Sequence, residues 1–346
     1  MTRNKQRKGL IQIYTGNFEH LNYAPVGLAL RAAGQNLKTH LTCFLPFPLS
    51  ERLPHAATLL KPHLIVEQTA LKKSVYKEWS QRECREIQDV FQRSRTALLS
   101  GEFDIVILAG IHAVLGSDLI TMGHVMDLVR EKPAHVELVF TGTGVQDDFI
   151  ASAHLVTEVM CRKGHPNGED ERVGGAPTEV ITGNGKGKTT YCLGKAMLMS
   201  CLGTHGTILQ FIKSSRPYGE VKALKKFPDL DIKTMGEGFL DEDADVQEMK
   251  HLEAARQAWE GCLREIFSLK YGVVVLDEVN IATHYGLVQP ERVRELMFLK
   301  PHQLHLIMSG RNAHPEVMGG ASMVIEMKEI KHPYQQGIKA RKGIEF

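Results

Sequence analysis

The 346-residue sequence has no apolar stretch near the roughly 18 residues that a membrane-spanning helix requires. Its N-terminus lacks the long apolar core that is typical of a signal peptide. The net charge of +2 is too small to create a large field for nucleic acid or an anionic membrane. These absences predict a cytoplasmic globular protein that binds neither nucleic acid nor a membrane.

Cysteine and histidine do not occur in the patterns of a metal or disulfide site. The six cysteines are scattered and no two form a C-x-x-C pair, which favours reduced, mostly buried thiols. His302 and His305 are three residues apart, but they lie beside a predicted strand and no acidic residue lies near them in the sequence. The sequence therefore predicts neither a disulfide framework nor a zinc centre.

The chain is a tandem repeat. When it is shifted against itself by 168 residues, residues 103–160 align without a gap on residues 271–328, and 12 of the 58 positions are identical. A shift of 167 aligns residues 15–17 with residues 182–184, and both triplets are Thr-Gly-Asn. Agreement of this extent between distant segments indicates a duplicated structural unit.

The two copies are predicted to be separate domains joined by a linker. Residues 164–177, GHPNGEDERVGGAP, contain four glycines, two prolines and alternating charges without an apolar period. This composition is typical of linkers. We therefore predict a first domain over residues 9–163 and a second over residues 178–346.

Short apolar strands and helical stretches alternate within each copy. In the second copy EVIT, TILQFIK, GVVVLD, QLHLIMSG and MVIEM are typical of strands, whereas Lys188 to Leu202 and Val246 to Phe267 have helical patterns. This alternation predicts an α/β fold in which each copy is a mainly parallel sheet with helices on both faces. Such sheets bind ligands at the carboxyl ends of their strands.

The stretch TGNGKGKTT at residues 182–190 has the composition of a phosphate-binding loop. Three glycines let successive N–H groups point inward: Gly183, Gly185 and Gly187. The following helix adds its N-terminal dipole, Lys188 adds charge and Thr189 adds a hydroxyl for Mg²⁺. The strict GxxxxGK[ST] motif would need glycine where Thr182 stands, and a second lysine, Lys186, lies inside the loop. The alternative interpretation is a glycine-rich surface turn.

Two acids follow a second apolar strand about 90 residues further along. Asp277 and Glu278 come directly after VVVL, where they could hold Mg²⁺ directly or through water. The alternative is that they cap a helix or turn. Together with the loop they predict binding of a magnesium nucleotide, but they do not select a reaction.

Six segments of the second half occur in an order that carries a family resemblance: GNGKGKTT, QFIK, MGEGF, VVLDE, SGRNAH and KHPYQQGIKARKGIEF. Residues 178–346 thereby resemble, almost end to end, the P-loop ATP:corrinoid adenosyltransferases. With the repeat, this resemblance implies two tandem P-loop NTPase (RecA-like) domains. These enzymes attach adenosyl to cobalt in cobalamin synthesis and salvage. The tight glycine loop and the closing KH…GIKA…GIE are two independent marks of that family.

The resemblance implies that Co(I) of a reduced corrinoid attacks the 5′ carbon of ATP and that triphosphate leaves. The implied nucleotide contacts are the loop and the start of its helix: Gly183, Asn184, Gly185, Lys186, Gly187, Lys188, Thr189 and Thr190. Lys188, Thr189 and Glu278 are implied to be catalytic, because charge develops on the leaving triphosphate. The implied metal residues are Thr189 and Glu278, with Asp277 orienting the waters of the metal.

Further positions follow from the resemblance alone. Arg311 and His314 match the family's loop after the fifth strand and are assigned to the site. Phe239 matches an aromatic residue that packs against the lower face of the corrin, which eases reduction to Co(I). The family's second aromatic, a tryptophan, is Asp241 here. Either another residue supplies this packing, or the corrinoid differs, or the reaction has been lost.

The first copy keeps the apolar frame of the second and lacks its charged contacts. After Thr-Gly-Asn it has Phe18, Glu19 and His20, and Glu19 would repel phosphate. Ala109 and Gly110 align with the two acids of the second copy. We favour a first copy that forms an intramolecular pseudo-dimer with the second as a structural partner. The alternative is that it binds the corrinoid or a regulatory ligand.

The predicted function is transfer of the 5′-deoxyadenosyl group from ATP to a corrinoid, with Mg²⁺ and a flavoprotein as candidate reductant. A nucleotide-dependent corrinoid-binding or sensor protein without turnover is the alternative. An ordinary P-loop ATPase or kinase is a third interpretation.

Overall fold

The computed structural model describes residues 8–72, 79–115, 120–164, 175–211, 218–235 and 245–346. The strands are β1 (Ile11–Gly16), β2 (Thr39–Cys43), β3 (Leu64–Gln68), β4 (Ile105–Ala109), β5 (Glu137–Thr143), β6 (Leu155–Lys163), β7 (Thr178–Thr182), β8 (Gly206–Gln210), β9 (Leu230–Thr234), β10 (Val273–Asp277), β11 (His305–Ser309) and β12 (Met323–Lys331).

The helices are α1 (Tyr23–Gly34), α2 (Leu53–Leu60), α3 (Gln81–Leu99), α4 (Met122–Glu131), α5 (Asp147–Ser152), α6 (Lys188–Ser200), α7 (Gly219–Leu224), α8 (Asp245–Ile266), α9 (Val279–His284), α10 (Pro290–Leu299) and α11 (Pro315–Gly320). Short 3-10 turns cover Glu19–Asn22, Ser50–Arg52, Ile111–Val114 and Pro333–Gln336. In the described ranges, none of these helices combines the length and the apolar character that a bilayer crossing needs.

The twelve strands of the described residues belong to one sheet, in the order β3-β2-β4-β5-β1-β6-β12-β7-β11-β10-β8-β9. The first six come from the first copy and the last six from the second. Neighbours within each block are parallel, as β1 is with β5 and β7 with β11. The two blocks join through the antiparallel pair β6 and β12. The predicted α/β class is therefore confirmed, but a single sheet runs through both copies where the sequence suggested one sheet in each.

The strands and helices predicted in the second copy lie where the sequence patterns placed them. The five apolar runs correspond to β7, β8, β10, β11 and β12, and the two helical stretches to α6 and α8. The predicted linker coincides largely with residues 165–174, which lie outside the described residues.

Helices cover both faces of the sheet. On one face α1, α2, α6 and α7 share a single apolar cluster with strands of both blocks. On the other face α3, α4 and α5 pack on the first block. Helices α8 to α11 pack on the second block, in a cluster of their own. The two copies therefore share one core layer, which continues across the pair β6 and β12.

The first helices of the two copies cross at a pair of glycines. A Cβ atom on Gly27 would lie 1.8 Å from the carbonyl oxygen of Thr190. One on Gly194 would lie 2.2 Å from the carbonyl oxygen of Tyr23. Gly27 and Gly194 are equivalent in the 167-residue repeat. Because no side chain fits at either position, α1 and α6 contact each other backbone to backbone.

Candidate active site

The glycine loop, residues 183–187, joins β7 to α6 at the carboxyl edge of the second block. Gly183 and Gly187 have φ values of +97° and +113°, a conformation that favours glycine. A Cβ atom on Gly183 would lie 2.4 Å from the carbonyl oxygen of Met327. One on Gly187 would lie 2.9 Å from Cε1 of Tyr14, which belongs to the first copy. The loop therefore needs its glycines, and it is packed against both copies.

Lys188 begins α6 and folds back over the glycine loop. Its Nζ donates to the carbonyl oxygens of Gly183 at 2.7 Å and Gly185 at 2.8 Å. Lys188 is only 7% exposed, and this burial lowers its pKa to about 8. Glu278 opposes this shift and Arg311 adds to it. Lys188 therefore stays mostly charged near pH 7, and a bound anion would stabilise its charged form.

Asp277 organises the carboxyl ends of the neighbouring strands. Thr189 Oγ1 donates to its Oδ1 at 3.0 Å, and Ser309 Oγ donates to the same oxygen at 2.6 Å. Gln210 Nε2 donates to Oδ2 at 3.2 Å. Asp277 is fully buried, so its carboxylate orients the Thr189 hydroxyl rather than facing the open space.

Glu278 lies next to Asp277 but faces the cavity. It adopts a left-handed conformation with φ of +67°, and its N–H donates to Ser309 Oγ at 3.1 Å. Its side chain makes no capping hydrogen bond to α9. Thr189 and Glu278 thus present a hydroxyl and a carboxylate beside the glycine loop. These are hard oxygen donors of the kind that Mg²⁺ accepts together with water and phosphate oxygens. In the described part of the chain no cluster of three or more His, Cys, Asp and Glu side chains suits a metal.

A cavity of about 710 Å³ opens in front of the glycine loop. Lys186, Lys188, Thr189, Glu278 and Arg311 all line it. Its opposite wall comes from the first copy: Gln12, Tyr14, Leu28, Arg31 and Leu155. The C-terminal residues Ile344 and Glu345 also line it.

The sequence patterns did not predict the part of the cavity wall that comes from the first copy. Polar residues inside apolar runs were the available signal, namely Gln12 within IQIY and Arg31 within LALRAAG. Both side chains are nearly buried, at 2% and 6% exposure. A buried polar side chain needs a partner, which can come from a distant segment. The first copy therefore lines the cavity in addition to packing on the second copy.

The remaining predicted residues lie in different surroundings. Asn184 is exposed at the tip of the loop, and Thr190 Oγ1 donates to the carbonyl oxygen of Gly187 at 3.1 Å. His314 caps α11, where its Nδ1 accepts from the N–H of Glu316 at 3.4 Å, and it does not line the cavity. Phe239 and Asp241 lie outside the described residues, so their roles stay predictions.

The first copy keeps the turn geometry of the site and lacks its acids. Gly110 has φ of +78°, and its N–H donates to Thr141 Oγ1 at 2.8 Å, as Glu278 does to Ser309. Thr141 in turn donates to the amide oxygen of Asn22, a neutral group. The backbone turn that carries the two acids in the second copy is thus present in the first copy without an acidic side chain.

Among the described residues, the loop of the first copy that aligns with the glycine loop, residues 16–20, does not line the cavity. His20 is buried, and burial lowers its pKa to about 4, so the ring is neutral near pH 7. The side chain of Glu19 lies outside the described part of the structure, and its repulsion of phosphate stays a prediction.

The lowered pKa of Lys188 predicts proton uptake when nucleotide binds. The lysine is charged below its pKa of about 8 and neutral above it, so affinity for a polyphosphate falls as pH rises through this value. Bound triphosphate favours the charged form, so binding at about pH 8.5 should take up a proton. Calorimetric titration with ATP in two buffers of different ionisation enthalpy measures this uptake. Identical heats in both buffers would contradict the placement of Lys188 at the triphosphate.

Fold and site together define a class: an α/β protein whose glycine loop, buried lysine and strand-end acids can hold a polyphosphate beside a deep cavity. The family model described as ATP:corrinoid adenosyltransferase BtuR/CobO/CobP matches the chain twice, over residues 7–174 and 176–346. The chain therefore belongs to this family as a tandem duplication, and its activity is ATP-dependent adenosyl transfer to a corrinoid. The alternative of a sensor without turnover is not favoured.

Similar proteins fall into two groups by length. A corrinoid adenosyltransferase of Pseudomonas aeruginosa is 37% identical over 186 residues, which cover 51% of this chain and 89% of that protein. One from Escherichia coli is 33% identical over 183 residues, with 51% and 91% covered. An uncharacterized protein of a Nostoc species is 27% identical over 369 residues and covers 99% of this chain and 97% of its own. The first two thus have the length of a single copy, and the third has the length of both.

Proposed function

We propose that the second copy alone carries the reacting groups and that the cavity between the copies holds the substrates. The observation that supports this most directly is Lys188, buried over the glycine loop at the wall of that cavity. Residues 183–189 would bind the triphosphate of ATP in a P-loop manner, with the helix N-terminus of α6 directed at it. Domain boundaries at residues 9–163 and 178–346 are part of this proposal.

The proposed step is displacement at carbon. Co(I) of the reduced corrinoid donates an electron pair to the 5′ carbon of ATP, the bond from that carbon to oxygen breaks, and its electrons remain on the triphosphate. Charge therefore grows on the leaving group during the step. Lys188, Lys186 and the loop N–H groups would stabilise that charge in a partly dry site.

Thr189 and Glu278 are the residues that would hold Mg²⁺ with the triphosphate. Asp277 fixes the Thr189 hydroxyl at 3.0 Å and is itself buried, which suits an orienting role. When bound, the ion neutralises part of the triphosphate charge. Arg311, exposed at the cavity lining, is proposed to contact the substrates.

The first copy is proposed to act as the second member of an intramolecular pseudo-dimer. The antiparallel pair β6 and β12 and the glycine crossing of α1 on α6 support this proposal. Its wall of the cavity gives it a part in the site as well. A flavoprotein is the proposed electron donor, since Co(I) needs a strong reductant. The proposed location is the cytoplasm.

An anaerobic assay tests the reaction. The protein, ATP, Mg²⁺, a corrinoid and a strong chemical reductant should yield an adenosyl corrinoid that light destroys, and omission of the reductant should abolish it. ATP binding is measured on the same sample by calorimetry. Absence of light-sensitive product with bound ATP confirmed would refute the proposed function.

A further inference from the structure

We propose that the first copy takes part in the reaction through Arg31 and Glu137, which hold the C-terminal segment, residues 341–346, so that Glu345 positions Lys186 at the triphosphate. This inference rests on the proposed function of the glycine loop. Arg31 and Glu137 are positioning residues in this inference, because they act through the C-terminal segment and Lys186.

Arg31 holds the backbone of the C-terminal segment. Its Nη1 donates to the carbonyl oxygens of Ile344 at 3.3 Å and Glu345 at 3.0 Å. The same guanidinium is fixed from behind by Glu220, through bonds of 2.9 and 3.2 Å. Arg31 is 6% exposed and Glu220 is fully buried, so this clamp has little freedom. Since α1 carries Arg31, the first copy sets where the segment lies.

Glu137 holds a side chain of the same segment. The guanidinium of Arg341 donates to its two carboxylate oxygens at 2.7 and 2.9 Å, a bidentate contact. Glu137 is fully buried at the start of β5 and also accepts from Gln12 Nε2 at 2.6 Å. The position equivalent to Glu137 in the second copy is His305, which pairs with Glu179 instead. This acid is therefore a feature of the first copy alone.

Glu345 connects the segment to the glycine loop. It accepts from Arg341 Nη2 at 3.1 Å and from the Arg341 N–H at 2.7 Å, and Lys186 Nζ donates to it at 3.3 Å. Burial would raise the pKa of Glu345, but Arg341 and then Lys186 outweigh it and hold the pKa below its usual range. Glu345 is therefore a carboxylate near pH 7.

The charges alternate along this chain of contacts. Glu137, Arg341, Glu345 and Lys186 are negative, positive, negative and positive, each within hydrogen-bond reach of the next. A triphosphate on the glycine loop would continue the alternation beyond Lys186. A lysine side chain loses rotamer entropy when it is held in one conformation, and a fixed Glu345 removes part of that cost before ATP arrives. The first copy thereby orders a lysine of the second.

The test removes the Glu137–Arg341 pair without changing net charge. The double variant Glu137→Gln/Arg341→Gln should weaken ATP binding by about tenfold, the size of one lost charge-assisted contact. In a Lys186→Met background the same pair of substitutions should change the Kd by less than about twofold, because the chain ends at a lysine that is no longer present. Calorimetry with ATP and Mg²⁺ needs no corrinoid, so the inference and the proposed reaction can fail separately.

A second charge-neutral pair serves as the matched control. Lys233 and Glu265, 2.7 Å apart in the second copy and away from the cavity lining, can be replaced together by glutamine. That variant should leave the Kd within about twofold in both backgrounds. Equal losses from the Glu137/Arg341 variant with and without Lys186 would show a merely structural role and overturn the inference.

If the double variant does not fold, Arg341→Lys gives the same test. It keeps the charge but contacts only one carboxylate at a time. We expect a threefold to tenfold weaker Kd with Lys186 present and no change without it, on the order of a partly lost charge-assisted bond. No loss in either background would also overturn the inference.

Discussion

Lys188→Ala should lower kcat/KM for ATP by about a hundredfold to a thousandfold, the cost of removing one preorganised group from developing charge. The lysine is the buried cation over the glycine loop, with its Nζ 2.7 and 2.8 Å from two loop carbonyl oxygens. Those contacts hold Nζ within the glycine loop, where we propose that the triphosphate binds. Weaker ATP binding should accompany the loss of turnover, because the ground state uses the same charge.

The control for this variant is an exposed lysine outside the cavity. Lys225→Ala, after α7, should leave kcat/KM within about twofold, since exposed charges far from a site contribute little. Steady-state kinetics with varied ATP and calorimetry on both variants separate binding from turnover. Near-normal turnover of Lys188→Ala would mean that the glycine loop is not the working phosphate site.

Deletion of residues 1–170 should make the remaining second copy insoluble or force it to self-associate. The deletion leaves β12 as an open sheet edge, because its antiparallel partner β6 is gone. It also uncovers the face of α6 that packs on α1 in the shared apolar cluster. Contiguous apolar patches larger than about several hundred Å² are rarely exposed in soluble monomers. Activity should also be lost, because the deletion removes the cavity-lining residues of the first copy.

The same deletion has an informative rescue. Residues 9–163 supplied as a separate chain should restore solubility and part of the activity, although the linker no longer provides an effective concentration on the order of millimolar. Size-exclusion chromatography with light scattering gives the mass of each species. A soluble, monomeric and fully active fragment lacking residues 1–170 would refute the role of the first copy.

The features that local sequence patterns could predict are those that each copy makes by itself. The run GVVVLD is β10 because a continuous apolar run suits a strand that is buried on both faces. The glycine loop precedes α6 as predicted, because the spacing of its three glycines permits the backbone conformation that such a loop needs. The repeated Lys132 and Lys300 have a structural explanation, since each Nζ binds backbone carbonyl oxygens near the start of its copy's first strand.

Contacts between distant segments were not predictable from the same patterns. The pairing of β6 with β12 depends on two strand edges that are far apart in the chain, and no periodicity specifies which edge meets which. Arg31 and Glu137 are isolated charges in apolar runs, and their partners, Ile344, Glu345 and Arg341, lie at the other end of the chain. The cavity wall of the first copy was missed for this reason.

Separation of the phosphate products by ion-exchange chromatography distinguishes adenosyl transfer from phosphoryl transfer. The protein is incubated with ATP, Mg²⁺ and a chemically reduced corrinoid, and the products are separated while adenosyl corrinoid is measured by its light-sensitive absorbance. We expect triphosphate in equal amount to adenosyl corrinoid, with no ADP, because the bond at the 5′ carbon breaks. ADP as the product, or triphosphate formed without adenosyl corrinoid, would contradict it.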